Sequence, residues 1–280
     1  MLPTFVIGLR EGIEAALIVG IIAAFLRQEA GGREAMRRVW LGVGTAIGIC
    51  VVVGIALHVL GQELPHREQE GLASVISMLA VGAVTFMIVW MKRHARSIAG
   101  DLRASASTAL AAGTTAALVG MAFFAIIREG LETVVFLLAA FESASEPASA
   151  GSGALLGVLV ATAIGVAIYR GGVKLNLTRF FRVTGAVLVF VAAGLVVSAL
   201  HTAHEAGWLD LGQAQAVDLS WLVVPGTWTS SLLTGMLGLR PSTTVVEAAG
   251  YLVYAVPMLL LLLWPQRWRP SLRRRDAVTA

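Results

Sequence analysis

Two short motifs place three charged residues each inside strongly apolar stretches of the sequence. The first is REGIE, Arg10 to Glu14, and the second is REGLE, Arg128 to Glu132, so that the two arginines are 118 positions apart. Residues three and four apart share one face of a helix, so Glu11 lies beside Glu14 and Arg10 can reach Glu14. The second motif predicts the same arrangement. Carboxylate oxygens grouped in this way suit hard metal ions such as Fe(III), Mn or Mg.

Four glutamates and two arginines leave a formal surplus of two negative charges, which a divalent or trivalent cation would neutralise. A charged side chain at the centre of a membrane costs about 2.5 to 3.5 kcal/mol, which favours a functional role. The pattern therefore predicts metal ligands, with the two arginines as supporting ion pairs and with Gly12 and Gly130 giving room for close approach. The predicted ligands are Glu11, Glu14, Glu129 and Glu132, supported by Arg10 and Arg128. Two alternatives use the same residues: a structural staple between the two helices, and a proton relay.

The rest of the chain is typical of a membrane protein. It has 280 residues, of which 57% are hydrophobic and 14% charged, and its mean hydropathy is +0.81. A helix needs about 20 mainly apolar residues to cross the hydrocarbon core, and seven stretches meet this requirement. We therefore predict an all-α polytopic membrane protein. The predicted spans are Pro3–Leu26, Val39–Gly61, Glu70–Met91, Ala109–Phe141, Gly153–Tyr169, Phe181–Ala203 and Val246–Trp264.

The distribution of basic residues predicts the orientation of these spans. With the N-terminus outside and the C-terminus inside, 17 of the 21 Lys and Arg residues fall in inner loops or in the tail. This agrees with the positive-inside rule, and it explains the high pI without a nucleic-acid partner. The single cysteine, Cys50, excludes a disulfide framework. The chain is expected to be a multi-pass protein of the cytoplasmic (inner) membrane, in contact with the lipid bilayer.

The spacing of the motifs also predicts an internal repeat. Superposing them places spans 1 to 3 on spans 4 to 6, and because three is an odd number the second copy enters the membrane in the opposite direction. Spans 1 and 4 then run antiparallel and present their motifs to each other. The predicted organisation is a first repeat at 1–107, an inverted second repeat at 108–207, an extracytoplasmic loop at 208–245, and a seventh helix with a basic tail at 246–280.

The sequence resembles the oxidase-dependent iron permease family, whose bacterial members are EfeU-type iron permeases. The resemblance is carried by the doubled REGxE motif and the seven spans, supported by HTAHE, His201 to Glu205, and by the segment Gly238 to Pro257. It implies import of iron across the cytoplasmic membrane through the REGxE glutamates, with iron as substrate and with no permanently bound cofactor. It also implies a periplasmic iron-binding protein and a peroxidase or oxidase as partners.

A second group of candidate ligands lies near the predicted outer surface. On a helix His201 shares a face with both His204 and Glu205, and Glu70 opens the third span on the same side. We predict that Glu70, His201, His204 and Glu205 form an outer capture site for cations. The alternative is favourable contact of histidine with a helix C-terminus.

Other functions are less well supported by the motifs. Lead, manganese or a proton-coupled substrate would fit the same fold, because oxygen ligands select by geometry and availability. Both HExxH and the Glu-x-x-His pairs of di-iron bundles are absent from the predicted membrane core, so we do not expect an enzyme. The choice between Fe(II) and Fe(III) stays open at this point.

Overall fold

The computed structural model describes residues 1–26, 32–94, 115–142, 147–170, 176–210, 212–218 and 242–263, together with Trp221 and Leu233. Within them the chain forms seven long helices and one small sheet. These are α1 (Leu2–Leu26), α2 (Gly32–Gln62), α3 (His66–His94), α4 (Thr115–Glu142), α5 (Pro147–Tyr169), α6 (Leu177–Glu205), β1 (Gln215–Asp218), β2 (Ser242–Thr244) and α7 (Val245–Leu263). The predicted basic tail, the inner loop with Arg96 and Arg103, and most of the extracytoplasmic loop lie outside the described residues.

The helices confirm an all-helical, polytopic membrane architecture. Five of them, α2, α3, α5, α6 and α7, are long and apolar enough to cross a membrane. The other two, α1 and α4, have 25 and 28 residues, which correspond to roughly 37 and 42 Å of helix. Each carries the three charges of a motif near its middle. The charges of the motifs thus set α1 and α4 apart from the other five helices.

The second helix differs from its predicted span, because it begins at Gly32 rather than Val39. The added turns are polar, and within them Arg38 donates to Glu34 at 2.8 Å. A helical backbone satisfies its own hydrogen bonds whether or not its side chains are apolar, so the helix continues beyond the apolar run. Hydropathy therefore located the span but underestimated the length of the helix.

The contacts made by helices α1 to α3 correspond to the contacts made by helices α4 to α6. The motif helix α1 packs most extensively against α5, and the other motif helix, α4, packs against α2. In addition α1 contacts α6 while α4 contacts α3, and there are contacts between α1 and α4 and between α3 and α6. Exchanging α1, α2 and α3 with α4, α5 and α6 leaves this set of contacts unchanged. The seventh helix packs mainly on α6.

The glycine of each motif lies at one of these exchanged contacts. A Cβ atom on Gly12 would lie 2.6 Å from Cβ of Ala161 on α5, and a Cβ atom on Gly130 would lie 2.5 Å from Sγ of Cys50 on α2. Both distances are shorter than real Cβ contacts. The absence of a side chain therefore brings each motif helix against its partner helix, as small residues do in membrane helix pairs.

The same correspondence recurs one turn further along both helix pairs. A Cβ atom on Gly165 would lie 2.5 Å from Cβ of Ala16, and a Cβ atom on Gly54 would lie 3.5 Å from the methyl groups of Val134. Ala16 and Val134 are 118 positions apart, which is the separation of the two motifs. The packing of α1 on α5 is thus repeated by the packing of α4 on α2.

One element at the start of α7 was not predicted from the sequence. Strands β1 and β2 pair antiparallel, with Gln215 opposite Thr244. Directly after β2, Thr244 and Glu247 form a reciprocal capping box, because the backbone N–H of Thr244 donates to Glu247 Oε2 at 2.9 Å and that of Glu247 donates to Thr244 Oγ1 at 3.4 Å. The three-residue strand is too short for an alternating pattern to reveal. The capping box fixes the first turn of α7.

Candidate metal centre

Three glutamates of the two motifs converge in the interior of the helix bundle. One carboxylate oxygen from each of Glu11, Glu14 and Glu129 lies within 4.8 Å of the other two. Glu11 and Glu14 belong to α1 and Glu129 belongs to α4, so the group is built across the contact between these two helices. Among the described residues, this is the one group of three or more His, Cys, Asp or Glu side chains close enough to share a metal ion.

The carboxylates at the centre of this group lack the hydrogen bonds that buried oxygens need. Glu11 is 3% exposed and Glu129 is 7% exposed. Neither oxygen of Glu11, nor Oε2 of Glu129, has a hydrogen-bond partner among the described residues. Unsatisfied buried carboxylate oxygens are destabilising and rare in native proteins. Their grouping on facing helices is the arrangement that a bound cation would satisfy.

The two arginines of the motifs have different environments. Arg10 is 1% exposed, and its Nε lies 3.2 Å from Oε1 of Glu14. Arg128 is 55% exposed, and its Nε lies 3.0 Å from Oε1 of Glu132 and 4.0 Å from Oε1 of Glu129. The predicted pairing within each motif is therefore present in both copies. One ion pair, however, is sealed inside the bundle while the other borders open space.

The fourth predicted ligand, Glu132, does not belong to the group of three. Its side chain is 25% exposed, and its carboxylate accepts the hydrogen bond of Arg128. The two glutamates of the second motif therefore have different positions. Glu129 points toward α1, whereas Glu132 pairs with Arg128. The sequence contains no signal that separates the two glutamates.

An aromatic ring faces each guanidinium group. Cζ of Arg10 lies 5.9 Å from the ring centroid of Phe181 on α6, and Cζ of Arg128 lies 6.0 Å from that of Trp90 on α3. Rings at this distance attract a cation electrostatically. Each arginine is therefore held in place by two kinds of contact, an aromatic face and a glutamate of its own motif.

A cavity of about 1210 Å³ opens beside the carboxylates and is lined by residues of α1, α2, α3, α4 and α5. Glu11 and Glu129 line it together with Cys50, Thr133 and His58 on the surrounding helices. Most of the other lining residues are apolar. The unsatisfied oxygens of the centre thus border a space large enough to admit an ion with its water.

The predicted outer cluster is only partly assembled in the structure. His201 Nε2 lies 3.3 Å from Oε1 of Glu205, which agrees with their shared helix face. His204 turns elsewhere, and its Nδ1 lies 2.7 Å from the carbonyl oxygen of Leu209.

Two further carboxylates contact histidine side chains. Glu70 lies 3.8 Å from Nδ1 of His66 on its own helix. Glu247, which sequence reasoning did not select, lies 3.0 Å from Nδ1 of His201 although the two residues are 46 positions apart. The capping pattern Thr-x-x-Glu at 244–247 was the available signal for a buried, oriented glutamate.

These features define a polytopic membrane protein with a carboxylate centre buried between two of its helices. The chain matches the model of the Iron permease FTR1 family over residues 1–274, and it belongs to that family. It is 40% identical over 269 residues to the "Ferrous iron permease EfeU" of Yersinia pestis, covering 95% of each chain. It is 38% identical over 269 residues to a protein of the same name from Escherichia coli, covering 95% of this chain and 97% of that one. No solved structure matches the chain.

Proposed function

We propose that the protein is a permease that imports iron ions across the cytoplasmic membrane, and that the glutamates of the two REGxE motifs bind the ion during its passage. The observation that carries this proposal is the convergence of Glu11, Glu14 and Glu129, within 4.8 Å of one another, in a member of an iron permease family. The curated relatives are named ferrous iron permeases, which favours Fe(II) as the ion carried.

The roles within the centre follow from the contacts of each side chain. Glu11 and Glu129 present oxygens that have no hydrogen-bond partner in the described part of the chain, so they are the first ligands available to an entering ion. Glu14 is oriented by Arg10, which also reduces the repulsion between the carboxylates. Glu132 joins as a fourth ligand when Arg128 moves from its exposed position. Neutralisation of the surplus negative charge by the ion provides the binding energy.

The proposed topology has seven spans, with the N-terminus outside and the C-terminus inside. Residues 1–107 and 108–207 form inverted three-helix repeats, 208–245 is extracytoplasmic, and 246–280 contains the last span and the tail. The exchanged helix contacts and the paired glycine contacts of α1 with α5 and of α4 with α2 support the repeat. An inverted repeat places the ion site at the interface of its two halves.

Cysteine labelling tests this orientation, because Cys50→Ala gives a chain without cysteine. In that background Glu63→Cys, in the turn after α2, should react with a membrane-impermeant maleimide in intact spheroplasts. Arg170→Cys, at the end of α5, should react only after the membrane is opened. Labelling of Arg170→Cys in intact spheroplasts would show that the orientation is reversed.

Uptake into liposomes tests the function itself. We expect saturable entry of radiolabelled Fe(II) with the wild-type chain, and loss of entry with Glu11→Gln and with Glu129→Gln. The matched control is Glu34→Gln, which changes an exposed glutamate that pairs with Arg38 at the polar start of α2. Manganese and lead are added as competitors. Full entry with a correctly inserted Glu129→Gln chain would contradict the assignment of the centre.

We further propose that a periplasmic iron-binding protein and a peroxidase or oxidase deliver the ion. The proposal rests on the family resemblance. Reconstitution with candidate periplasmic proteins tests it, since a delivering partner should lower the iron concentration at which entry is half-maximal.

A further inference from the structure

An imidazole ring joins the outer ends of α6 and α7 by standing between two carboxylates. Nδ1 of His201 lies 3.0 Å from Oε1 of Glu247, and Nε2 of the same ring lies 3.3 Å from Oε1 of Glu205. Glu247 is only 3% exposed, whereas the side chains of His201 and Glu205 are 37% and 43% exposed. One nitrogen of the ring therefore faces a fixed, buried carboxylate, and the other faces an accessible one.

The hydrogen bonds of Glu247 determine which nitrogen of a neutral His201 carries the proton. Oε2 of Glu247 accepts the backbone N–H of Thr244 at 2.9 Å, and its Oε1 faces Nδ1 of the ring. An ionised carboxylate can only accept, so the proton lies on Nδ1 and the lone pair lies on Nε2. Nε2 then faces Glu205, which is also an acceptor. Two acceptors 3.3 Å apart repel each other unless they share a proton or a metal ion, and the exposure of both side chains makes them accessible to an ion.

We propose that Nε2 of His201 and the carboxylate of Glu205 bind a divalent transition-metal ion at the outer surface, with Glu247 as the positioning residue that keeps Nε2 available. A histidine that ligates a metal commonly donates its other N–H to a carboxylate, as His201 does to Glu247. Water molecules complete the coordination of the accessible ion. This inference rests on the proposed function, because the site would be the first to bind an ion that the permease then transports.

The imidazole ligand also gives this site a preference among metal ions. Nitrogen ligands favour iron, zinc and related transition metals, while calcium and magnesium prefer sites made wholly of oxygen. The centre between α1 and α4 offers oxygen alone. His201 is therefore the specificity-determining ligand that excludes calcium and magnesium before an ion reaches the glutamates.

Glu247→Gln separates the positioning role from the capping role. Glutamine at this position keeps an oxygen to accept the N–H of Thr244, and glutamine is also an accepted member of a capping box. Its amide N–H₂ group then faces Nδ1 of His201 and donates to it, which moves the imidazole proton to Nε2. The cap is kept while the metal-binding lone pair is lost. Thr244→Ala is the matched control, because it weakens the cap and leaves the contact of Glu247 with His201 in place.

The experiment measures anaerobic Fe(II) binding to the purified full-length chain in detergent, on a Glu11→Gln, Glu129→Gln background that disables the inner centre. We expect one saturable site that excess Ca(II) does not displace. Adding Glu247→Gln should weaken it by roughly 10- to 100-fold, the range seen when an orienting carboxylate is removed. Adding Thr244→Ala should lower thermal stability and leave the dissociation constant unchanged.

Several results would overturn the inference. One is the absence of a saturable Fe(II) site in the Glu11→Gln, Glu129→Gln chain. The others are an equal loss of Fe(II) affinity with Glu247→Gln and with Thr244→Ala, and displacement of Fe(II) by Ca(II) at equal concentration. If Glu247→Gln does not fold, Glu205→Gln at the exposed ligand must abolish the site. Iron binding at this site, together with no iron uptake by the wild-type chain in liposomes, would refute the permease proposal and leave this inference standing. Iron uptake by the wild-type chain, together with no iron binding at this site, would refute this inference and leave the permease proposal standing.

Discussion

The crowding of carboxylates between α1 and α4 predicts that the ion site destabilises the metal-free protein. In Glu11→Gln, one of three converging charges is replaced by a neutral amide of the same size. The amide N–H₂ group can also donate to the oxygen of Glu129 that has no partner among the described residues. We therefore expect the variant to be more stable than the wild type without metal, while it loses metal binding.

The size of the effect follows from the separation of the oxygens. Two negative charges at the 4.8 Å upper limit of these separations repel by about 3.5 kcal/mol at an effective dielectric constant of about 20. Relaxation and the nearby Arg10 reduce the gain, so about 1 to 3 kcal/mol should be recovered. At roughly 2 to 4 °C for each kcal/mol, the melting temperature should rise by several degrees.

The assay is thermal unfolding in detergent, with a chelator and then with excess Fe(II). A ligand present at 100 times its dissociation constant stabilises a protein by about 2.7 kcal/mol. Excess Fe(II) should therefore raise the melting temperature of the wild type strongly and that of Glu11→Gln only slightly. Glu132→Gln is the control, because it removes a charge that Arg128 already pairs and should not raise the melting temperature. A melting temperature of Glu11→Gln at or below that of the wild type with chelator would refute the reasoning.

Two further predictions concern the helices that hold the centre. Gly130→Ala should lower the melting temperature, because the added Cβ would lie 2.5 Å from Sγ of Cys50. Adding Cys50→Ala to the same chain should restore most of the lost stability. If it does not, another contact is responsible for the loss. Arg10→Gln should destabilise by about 3 to 5 kcal/mol, because it leaves buried carboxylates without their partner. Arg128→Gln should destabilise less than Arg10→Gln, because Arg128 is 55% exposed and its partner Glu132 is 25% exposed. Equal losses of folded protein on a size-exclusion column would contradict this difference.

Much of the architecture could be predicted because it depends on local pattern. A long apolar run requires a helix in a membrane, since no water is present there to satisfy the backbone. The described part of each of the seven predicted spans is helical, while residues 109–114 of the fourth and Trp264 of the seventh lie outside the described residues. The spacing of the two motifs also predicted that they face each other across two helices. The small sheet beside α7 did not, because its strands have four and three residues and depend on pairing across a long loop.

The outer cluster shows why candidate ligands are harder to predict than spans. Neighbouring positions on one helix could be read directly, so the contact of His201 with Glu205 was expected. The contact of His201 with Glu247 joins two helices that are separated by a loop of about forty residues, and helical periodicity carries no information about it. His204 was selected by the same periodicity, yet a backbone carbonyl of the following turn binds its ring instead.

The two motif arginines are buried unequally although the helices around them largely correspond between the two halves. The main contacts of α1 with α4, α5 and α6 recur as those of α4 with α1, α2 and α3 when the halves are exchanged. The seventh helix has no counterpart in this exchange: it packs mainly on α6, and its Met258 and Leu262 join the buried cluster that contains Phe181. Phe181 is the ring that lies beside Arg10, whereas the ring beside Arg128 is Trp90 on α3, which α7 contacts less extensively. On the proposed mechanism Arg128, which is 55% exposed, is therefore the arginine that changes position when an ion enters.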